Sequence, residues 1–531
     1  MRSNILSKWG KGLLFCASGL DCAIDYKRQL ILRSSLEDGV LELKYPAACG
    51  RLLFFGIGKE RYLASDAFII NGATGVFVNS THLLIEGDVS AADISDDFRV
   101  AVSGSRTLVG VADGFDEELI TTDIVPLLER SKKFFSHLDK FENVSETEYN
   151  ALASAFSQVK SQIYSPVPEI PFYWSTPDRW PHRHMWLWDS VFHAIGVRHF
   201  SPSVARDLIS AVFVSIQEDG MIPHMFSPTL ISKVTQPPVL GFGIKLVYES
   251  EQNIEWLVSL YPLLSRYLDW VTASRDSNGN CLVEWTVEKK ANCRCGESGM
   301  DNSPRFDTDA VLDAVDYSSF LSLEYECMAE FAAILGKTDD VVKWSELHNN
   351  INAAIDKLLW CEEDKFYFDR NTVTGEFSKI AASSGLLPLI CGAASEEHAA
   401  VLVEKLNDPE EFGTPCRIPS ISVKFKQFYE KDMWRGPVWI NINYLVALGL
   451  ERYGYSEEAE KLLRETVDME SRYVSEYATF FEFYDDKDEC PPTRLARKGK
   501  WDPYNYNHQP YLFYGWSATL YIDMIKRLSV K

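Results

Sequence analysis

The stretch SSFLSLEYECMAEFAAILGKTDDVVKWSELHNNINAAIDKLL, residues 318–359, decides the fold. Apolar residues recur at helical spacing in residues 318–335 and again in residues 340–359. Between the two runs lies Gly336, and glycine is a common stop signal for a helix. The stretch therefore predicts two antiparallel helices joined by a short turn.

The same helical spacing continues through the rest of the chain after residue 165. The segments that have it are Asp189–Val197, Val204–Ile216, Ile254–Ser274, Glu396–Leu406, Val438–Leu450, Glu457–Val467 and Tyr511–Ile525. Together with the hairpin and the connecting segment, these approach a dozen helices, and antiparallel helix pairs in that number are what an (α/α)6 toroid requires. We therefore predict an (α/α)6 catalytic domain over residues 166–531.

The first 115 residues have a different pattern, in which Gly, Asn and Asp separate short segments rich in β-branched and aromatic residues. The segments are Leu30–Leu32, Val40–Leu43, Arg51–Phe55, Ala67–Ile70, Gly75–Val78 and Leu83–Glu86. This spacing predicts an antiparallel β-sandwich domain over residues 1–115. Helical spacing then predicts a helical linker over residues 116–165. The predicted fold class is mainly α, with the β-sandwich preceding the toroid.

Composition restricts the class of ligand. The chain has 531 residues and a formal net charge of −23, so it lacks the basic surplus that binds nucleic acid or anionic membrane surfaces. It also lacks a run of about 18 apolar residues that would predict a membrane span. A neutral small ligand such as a carbohydrate is compatible with this charge. The oligomeric state is left open.

The cysteines and the N-terminus bear on location. Eleven scattered cysteines are typical of reduced thiols and not of a disulfide framework. The apolar stretch Gly12–Leu20 is faintly similar to a secretory signal, but Gly12 and Gly19 interrupt it. We expect a cytoplasmic protein, with secretion as the open alternative. Cys293 and Cys295 have no second pair at zinc-site spacing, so we predict no metal site and no cofactor.

The densest aromatic segment contains a candidate acid. Trp186 and Trp188 stand just before Asp189, which begins a predicted helix. The structural alternative is a helix N-cap beside core tryptophans. Indole rings can also stack on sugar rings, and a carboxyl group beside them loses hydration, which favours its protonated form. The segment is therefore a candidate proton donor next to a sugar site.

Three later segments combine aromatic, acidic and amide groups in the same way. A polar loop contains Glu297 and Asp301, with a surface turn as its structural alternative. Trp434 and Arg435 precede a Gly-Pro helix start. Glu482 lies inside an aromatic run, where the alternative is an exposed strand position. Each segment alone is a weak signal, and their common composition favours carbohydrate binding.

In chain order, these motifs resemble those of the inverting α-glycosidases of glycoside hydrolase family 63 and its relatives. This group includes processing α-glucosidase I, mannosylglycerate and glucosylglycerate hydrolases, and trehalase. The resemblance covers about Trp174 to Met524 and rests on five segments: Trp186–Asp189 (W-x-W-D), Glu297–Asp301 (E-S-G-[ML]-D), Trp434–Trp439 (W-R-G-P-x-W), Glu482–Tyr484 (E-x-Y) and Gly515–Ala518 (G-W-[ST]-A).

The resemblance implies a fold and a reaction. It implies an (α/α)6 domain and an exo-acting, inverting hydrolase of an α-glucosidic or α-mannosidic bond in a small oligosaccharide or glycoside. Asp189 would be the general acid and Glu482 the general base, with their carboxyl groups about 6.5–9.5 Å apart. The chain departs from the group at residues 485–492, where an acidic segment replaces a glycine-rich turn. The sugar, the linkage and the aglycone therefore stay open.

The same scheme assigns the remaining polar and aromatic residues to the substrate. The candidate sugar-binding residues are Trp186, Trp188, Gln236, Glu297, Asp301, Trp434, Arg435, Gln509 and Trp516. Two other functions stay open. A sugar epimerase or isomerase on the same toroid would use histidine bases, for which the candidates are His182, His184, His193, His224 and His508. A non-catalytic sugar-binding protein would bind without turnover.

Overall fold

The structure is a computed structural model that describes residues 9–288, 290–291, 293–502 and 505–530. Within these residues the chain forms two compact units. The first unit consists of residues 9–184, 469–480 and 512–530, and the second of residues 185–468 and 481–511. The predicted domain limits at residues 115 and 165 do not coincide with the limits of these units and stay a prediction.

The N-terminal part of the first unit is rich in β-structure. Its strands are β1 (Leu14–Cys16), β2 (Ile31–Ser34), β3 (Val40–Tyr45), β4 (Arg51–Phe54), β5 (Arg61–Ala64), β6 (Ala67–Ile70), β7 (Ala73–Asn79), β8 (His82–Glu86), β9 (Val89–Ala92), β10 (Phe98–Ser103) and β11 (Arg106–Val111). They form two antiparallel sheets, in the orders β1-β2-β3-β4-β9 and β10-β11-β8-β7-β6-β5. The predicted antiparallel β-rich region is therefore confirmed.

Aromatic side chains of the two sheets are in contact. The ring of Phe68 on β6 lies 5.1 Å from that of Phe15 on β1 and 5.8 Å from that of Phe54 on β4, measured between centroids. All three rings are buried. Contacts of this kind between inward-facing residues form the core of a two-layer β-structure.

The rest of the described chain is mainly helical. Its helices are α1 (Val125–Phe134), α2 (Glu146–Gln162), α3 (Leu187–Val197), α4 (Pro202–Phe213), α5 (Leu240–Glu251), α6 (Ile254–Arg275), α7 (Val315–Ile334), α8 (Thr338–Ala354), α9 (Pro388–Cys391), α10 (Glu396–Asn407), α11 (Ile440–Arg452), α12 (Ser456–Tyr477) and α13 (Gly515–Val530). Helix α12 contributes residues to both units. Among the described residues, no helix has the length and hydropathy needed to cross a bilayer.

Short strands pair in the connections between helices. They are β12 (Ile163–Tyr164), β13 (Trp174–Ser175), β14 (Met185–Trp186), β15 (Met225–Ser227), β16 (Leu230–Ile231), β17 (Leu312–Asp313), β18 (Trp360–Cys361), β19 (Phe366–Tyr367) and β20 (Arg370–Asn371). The pair β14–β15 matters for the site, because helix α3 begins directly after β14.

The predicted helical hairpin is present as α7 and α8. At the end of α7, Gly336 has φ +69°, and its N–H donates to the carbonyl oxygen of Ala333. The N–H of Lys337 donates to the carbonyl oxygen of Ala332, 2.8 Å away. These two bonds form a Schellman motif, which stops a helix at a left-handed residue. The glycine therefore ends α7 as the sequence predicted.

In the first unit, α2 contacts the chain just before α13. The Gln158 side-chain amide donates to the carbonyl oxygen of Tyr514 (2.6 Å), and that of Gln162 donates to the carbonyl oxygen of Phe513 (2.5 Å).

Helix α13 begins at Gly515, so the predicted start at Tyr511 is wrong. Tyr511 lies before the helix, where its N–H donates to Oε2 of Glu482 and its carbonyl oxygen accepts from the N–H of Glu482.

Candidate active site

Asp189 lies in the first turn of α3, at its third residue. Strand β14 pairs with β15, and the N–H of Leu187 donates to the carbonyl oxygen of His224 (3.1 Å), so the start of α3 is held by the neighbouring strand. The Asp189 side chain is buried, with only 2% of the residue exposed. A carboxyl group here is close to the positive end of the helix dipole.

Trp188 connects the Asp189 segment to the loop of residues 297–301. Its backbone N–H donates to Oε1 of Gln236 (3.2 Å), and its indole ring is buried. Gly299 lies against this ring, since a Cβ atom at Gly299 would stand 2.3 Å from Cζ2 of Trp188. Gly299 also has φ +70°. Only glycine satisfies both conditions, so this loop residue fits closely over the indole face.

Glu297 makes its contacts inside the protein. Its Oε1 accepts hydrogen bonds from Nη2 of Arg275 (2.7 Å) and the N–H of Thr235 (3.3 Å), and its Oε2 accepts one from the N–H of Thr286 (2.7 Å). The residue is fully buried. This geometry gives no support to its predicted role as a sugar ligand, because its oxygens already hold the loop in place.

The segments Trp434–Trp439 and Glu482–Tyr484 are directly joined. The rings of Trp434 and Trp439 stack with centroids 3.9 Å apart and an interplanar angle of 4°, and Phe483 contacts Trp439 at 5.1 Å. Val438 and Tyr484 exchange two backbone hydrogen bonds of 2.8 and 3.0 Å. A stack of aromatic rings and a short β-bridge therefore hold Glu482 beside the tryptophans.

Glu482 is buried, with 2% of the residue exposed, and forms a two-point ion pair with Arg497. Nε of Arg497 lies 2.8 Å from Oε2, and Nη2 lies 3.1 Å from Oε1. The N–H of Tyr511 donates to Oε2 as well (3.1 Å). The sequence analysis missed Arg497. A basic sequence of four residues, Arg-Lys-Gly-Lys at 497–500, was the signal that could have indicated it.

Asp301 is paired with the next residue of that basic sequence. Nζ of Lys498 lies 2.9 Å from Oδ2 of Asp301. Burial of the Asp301 carboxyl group raises its pKa, but the charge and hydrogen bond of Lys498 and the charge of Arg497 lower it more, so the net pKa is below its ordinary value. Asp301 is therefore an ionised hydrogen-bond acceptor at neutral pH.

Asn302 links the same loop to the segment that contains Trp434. Its Oδ1 accepts from the N–H of Trp434 (3.0 Å), and its Nδ2 donates to Oδ2 of Asp432 (3.1 Å). Asp432 is buried, and burial raises its pKa above the ordinary value despite hydrogen bonds from the backbone of Gly499 and Lys498. The loop of residues 297–302 is thus fixed to Trp188 on one side and Trp434 on the other.

Arg435 lies at a polar cavity of about 460 Å³ in the second unit. It forms ion pairs with Asp307 and, at 3.7 Å, with Glu430. The cavity is also lined by Arg294, Asn302, Ser303 and Asp432. The guanidinium group of Arg435 therefore has acidic partners of its own at the cavity wall.

The remaining predicted residues are not all in one unit. Trp186, half-buried, occupies the position before α3, and Gln509 is buried in the second unit. Trp516 is buried in the first unit, where its ring lies 4.8 Å from that of Tyr514. The second unit thus contains every predicted site residue except Trp516.

Burial lowers the pKa of two of the histidines predicted for the epimerase alternative. Burial lowers the pKa of His193, on α3, to about 3. Burial also lowers the pKa of His224, where the carbonyl oxygen of Val234 and nearby acids compensate only in part. A catalytic base is most effective when its pKa is near the working pH. His193, with a pKa of about 3, does not meet that condition.

One group of possible metal ligands occurs among the described residues: Cys361, Glu363 and Asp364. The amine of Lys379 lies 3.3 Å from Sγ of Cys361 and 2.9 Å from Glu363, and it also bonds to Asp364. The ammonium group supplies the positive charge for this cluster. We assign no metal to it.

Comparisons with known proteins point to one family. Residues 182–492 match the family described as the mannosylglycerate hydrolase MGH1-like glycoside hydrolase domain. The mannosylglycerate hydrolase MGH1 of Selaginella moellendorffii is 26% identical over 408 residues, which cover 61% of this chain and 79% of that protein. The mannosylglycerate hydrolase of Thermus thermophilus is 27% identical over 401 residues, which cover 60% of this chain and 91% of that protein.

A solved structure shares the fold. It is the family 63 mannosylglycerate hydrolase of Thermus thermophilus in complex with glucose. The TM-score is 0.58 at 22% sequence identity, and the match covers 70% of this chain and 99% of that one.

Proposed function

The chain belongs to the mannosylglycerate hydrolase MGH1-like glycoside hydrolase family, and from that premise we propose that it is an inverting, exo-acting hydrolase of a small α-mannoside or α-glucoside. Asp189 is the proposed general acid and Glu482 the proposed general base. Mannosylglycerate and glucosylglycerate are the first substrates to test, because mannosylglycerate and glucosylglycerate hydrolases are among the relatives.

The observation that supports this proposal is the continuity of four motif segments in the second unit. Trp188 contacts Gly299, Asn302 bonds to the N–H of Trp434, and Val438 pairs with Tyr484. These contacts join the Asp189 segment to the Glu482 segment through the residues Trp188 and Trp434. Two buried carboxyl groups in one aromatic network are what acid–base cleavage of a glycosidic bond needs.

The proposed reaction divides two proton transfers between the two carboxyl groups. Asp189 donates its proton to the glycosidic oxygen as the C–O bond breaks. Glu482 accepts a proton from a water molecule that attacks the anomeric carbon from the opposite face, so an α-glycoside gives a β-configured sugar. The ion pair with Arg497 suits a carboxylate that enters the reaction ionised.

The other predicted residues take supporting roles in this scheme. Trp186, Trp188 and Trp434 would provide apolar faces for the sugar, and Asp301 would accept hydrogen bonds from hydroxyl groups. Gln236 holds the backbone of Trp188, and Arg435 borders the polar cavity. A hydroxyl contact of Gln509 remains part of the proposal, and Trp516 stays a predicted wall residue.

Two broader expectations belong to the same proposal. Closure of the helices into an (α/α)6 toroid follows from the family resemblance. A cytoplasmic location follows from the cysteine composition, because scattered thiols are typical of reducing compartments.

The test is to follow purified protein by proton NMR during incubation with mannosylglycerate, glucosylglycerate and α-linked disaccharides. The expected result is release of one sugar whose β-anomer appears first. First appearance of the α-anomer would mean retention and would exclude the Asp189/Glu482 scheme. Binding without release from any substrate would favour the sugar-binding alternative, and conversion to an epimer would favour the epimerase.

A further inference from the structure

Residues 497–500 form a tight turn in the second unit. The N–H of Arg497 donates to the carbonyl oxygen of Lys500, 2.8 Å away. The two central residues are both left-handed, with φ +59° at Lys498 and φ +81° at Gly499. Two successive positive φ values define a type I′ turn, in which glycine is favoured at the second central position.

Three consecutive residues of this turn each bind a different carboxylate. Arg497 binds Glu482 through two hydrogen bonds, of 2.8 and 3.1 Å. Lys498 binds Asp301 at 2.9 Å, and the N–H of Gly499 donates to Asp432 at 2.7 Å. The three acids come from three segments that are far apart in the sequence. The turn therefore ties the proposed base to the two loops beside Trp188 and Trp434.

Arg497 fixes the orientation of the Glu482 carboxylate. Its guanidinium group bonds to both oxygens in a fork, and such a pair restricts rotation of the carboxylate plane as well as its position. Its Cζ lies 4.2 Å from the centroid of the Tyr511 ring, so the guanidinium is itself held from the other side. Only 5% of Arg497 is exposed, and removal of one partner would leave a buried charge without compensation.

We propose that Arg497 is the positioning residue for the general base Glu482, an inference that rests on the proposed function. Arg497 holds the carboxylate in one plane, in the orientation that the attacking water requires. Lys498 and Gly499 bind Asp301 and Asp432 and so hold the turn in position. The guanidinium group of Arg497 is thereby kept beside the Glu482 carboxylate. Arg497 acts through Glu482 and does not contact the sugar.

Two variants separate the charge of Arg497 from its geometry. Arg497→Met loses both, and kcat should fall about 100-fold while KM changes little, since a misplaced base affects the transition state and not ground-state binding. Arg497→Lys keeps the charge but loses the fork, so kcat should remain low.

The deciding experiment is chemical rescue in the full chain. Arg497→Ala should regain activity when guanidinium chloride is added at tens of millimolar, far below the molar concentrations that unfold proteins. The matched control is Arg452→Ala, which removes another two-point pair, between Arg452 on α11 and Glu326 on α7. This control should keep normal kinetics and should not respond to guanidinium.

The positioning role would be overturned if Arg497→Met kept the wild-type kcat. It would also be overturned if Arg497→Ala and Arg497→Lys lost activity only in proportion to lost folded protein, without rescue by guanidinium. Glu482→Gln separates this result from the proposed function. An active Glu482→Gln enzyme would reject the base itself, whereas an inactive one beside a normal Arg497→Met would reject only the positioning role.

Discussion

The carboxylate of Glu324 and the backbone nitrogen of Gly241 lie 2.6 Å apart, and a second hydrogen bond of 2.9 Å runs from the N–H of Phe242 to the same carboxylate. Glu324, on α7, thereby satisfies two of the free N–H groups at the start of α5. The group is completely buried. Burial raises the pKa of Glu324 from 4.5 to about 7, although the two backbone hydrogen bonds partly offset it.

We expect this glutamate to make stability fall with rising pH. The folded state holds the proton more tightly than the unfolded state, so the stabilising contribution is complete below about pH 4.5 and is lost as pH rises to about 7. A shift of this size corresponds to at most about 3 kcal/mol. Glu324→Gln cannot ionise at this position. Between pH 5 and pH 8 the free energy of unfolding of the wild type should therefore decrease relative to that of the variant.

The measurement is urea unfolding of both proteins across this range. Glu411→Gln is a suitable control, because Glu411 is buried but paired with Lys405 and Lys424, and its replacement should not remove the slope. Identical slopes for the wild type and Glu324→Gln would contradict the prediction.

Loss of either proposed catalytic carboxyl group should abolish turnover without unfolding the protein. Asp189→Asn and Glu482→Gln should each reduce kcat by about two to four orders of magnitude, the usual contribution of general acid–base catalysis. Circular dichroism and thermal unfolding check that the fold is retained. If Glu482→Gln remained active, the base would have to be sought elsewhere.

The indole N–H of Trp434 should bind a substrate hydroxyl group. Nε1 is buried, and no acceptor among the described residues lies within hydrogen-bonding distance of it. Trp434→Phe keeps a ring for stacking on Trp439 but removes the donor, so KM should rise about two- to tenfold, the value of one hydrogen bond. Steady-state kinetics with the preferred substrate measure it, and an unchanged KM would reject the contact.

Trp434→Ala should be more damaging because it also empties a packed space. Loss of a buried tryptophan side chain costs roughly 3–5 kcal/mol. The free energy of unfolding should fall by this amount, whereas Trp434→Phe should fall much less. A similar loss for both variants would show that the stack with Trp439 contributes little.

Gly299 should be intolerant of a side chain for two separable reasons. Gly299 and Gly336 have nearly the same backbone angle, with φ +70° and +69°, but a Cβ atom at Gly336 would meet nothing within 4 Å. Gly336→Ala should therefore cost only the backbone term of about 1 kcal/mol. Gly299→Ala should cost roughly 1–3 kcal/mol more, because it overlaps the Trp188 ring.

Kinetics distinguish the two substitutions further. Displacement of Trp188 disturbs the wall beside Asp189, so Gly299→Ala should lower kcat/KM while Gly336→Ala leaves it unchanged. Equal activity of both variants would indicate that Trp188 does not contribute to the site.

Sequence periodicity predicted most helices because their apolar faces are continuous, as in the α7–α8 hairpin. It missed α5, where Gly241 and Gly243 resemble helix breakers. The structure explains them by contact: a Cβ atom would stand 3.0 Å from Oε2 of Glu324 at Gly241 and 2.6 Å from Cγ1 of Val191 at Gly243. Close approach between neighbouring helices leaves no periodic signal in the sequence.

The segments of the candidate site could be predicted where a motif is local, whereas their distant partners could not. The segments of Asp189, Trp434 and Glu482 stood out by composition. Glu297 stood out in the same way, but its partner Arg275 belongs to α6 and could not be assigned without coordinates. Arg497 was missed because the basic sequence of its segment indicates acidic partners but does not show that one of them is Glu482.

The hydrogen bond between Gln162 and Phe513 spans 351 residues of sequence. A ribosome that adds about 5–20 residues per second needs roughly 20–70 seconds to synthesise that interval. During this time α2 has been made but its partner segment does not yet exist, whereas nearly all of the second unit emerges first. The first unit begins earlier in the sequence than the second. It can nevertheless complete its packing only after the segment from residue 512 onward has left the ribosome.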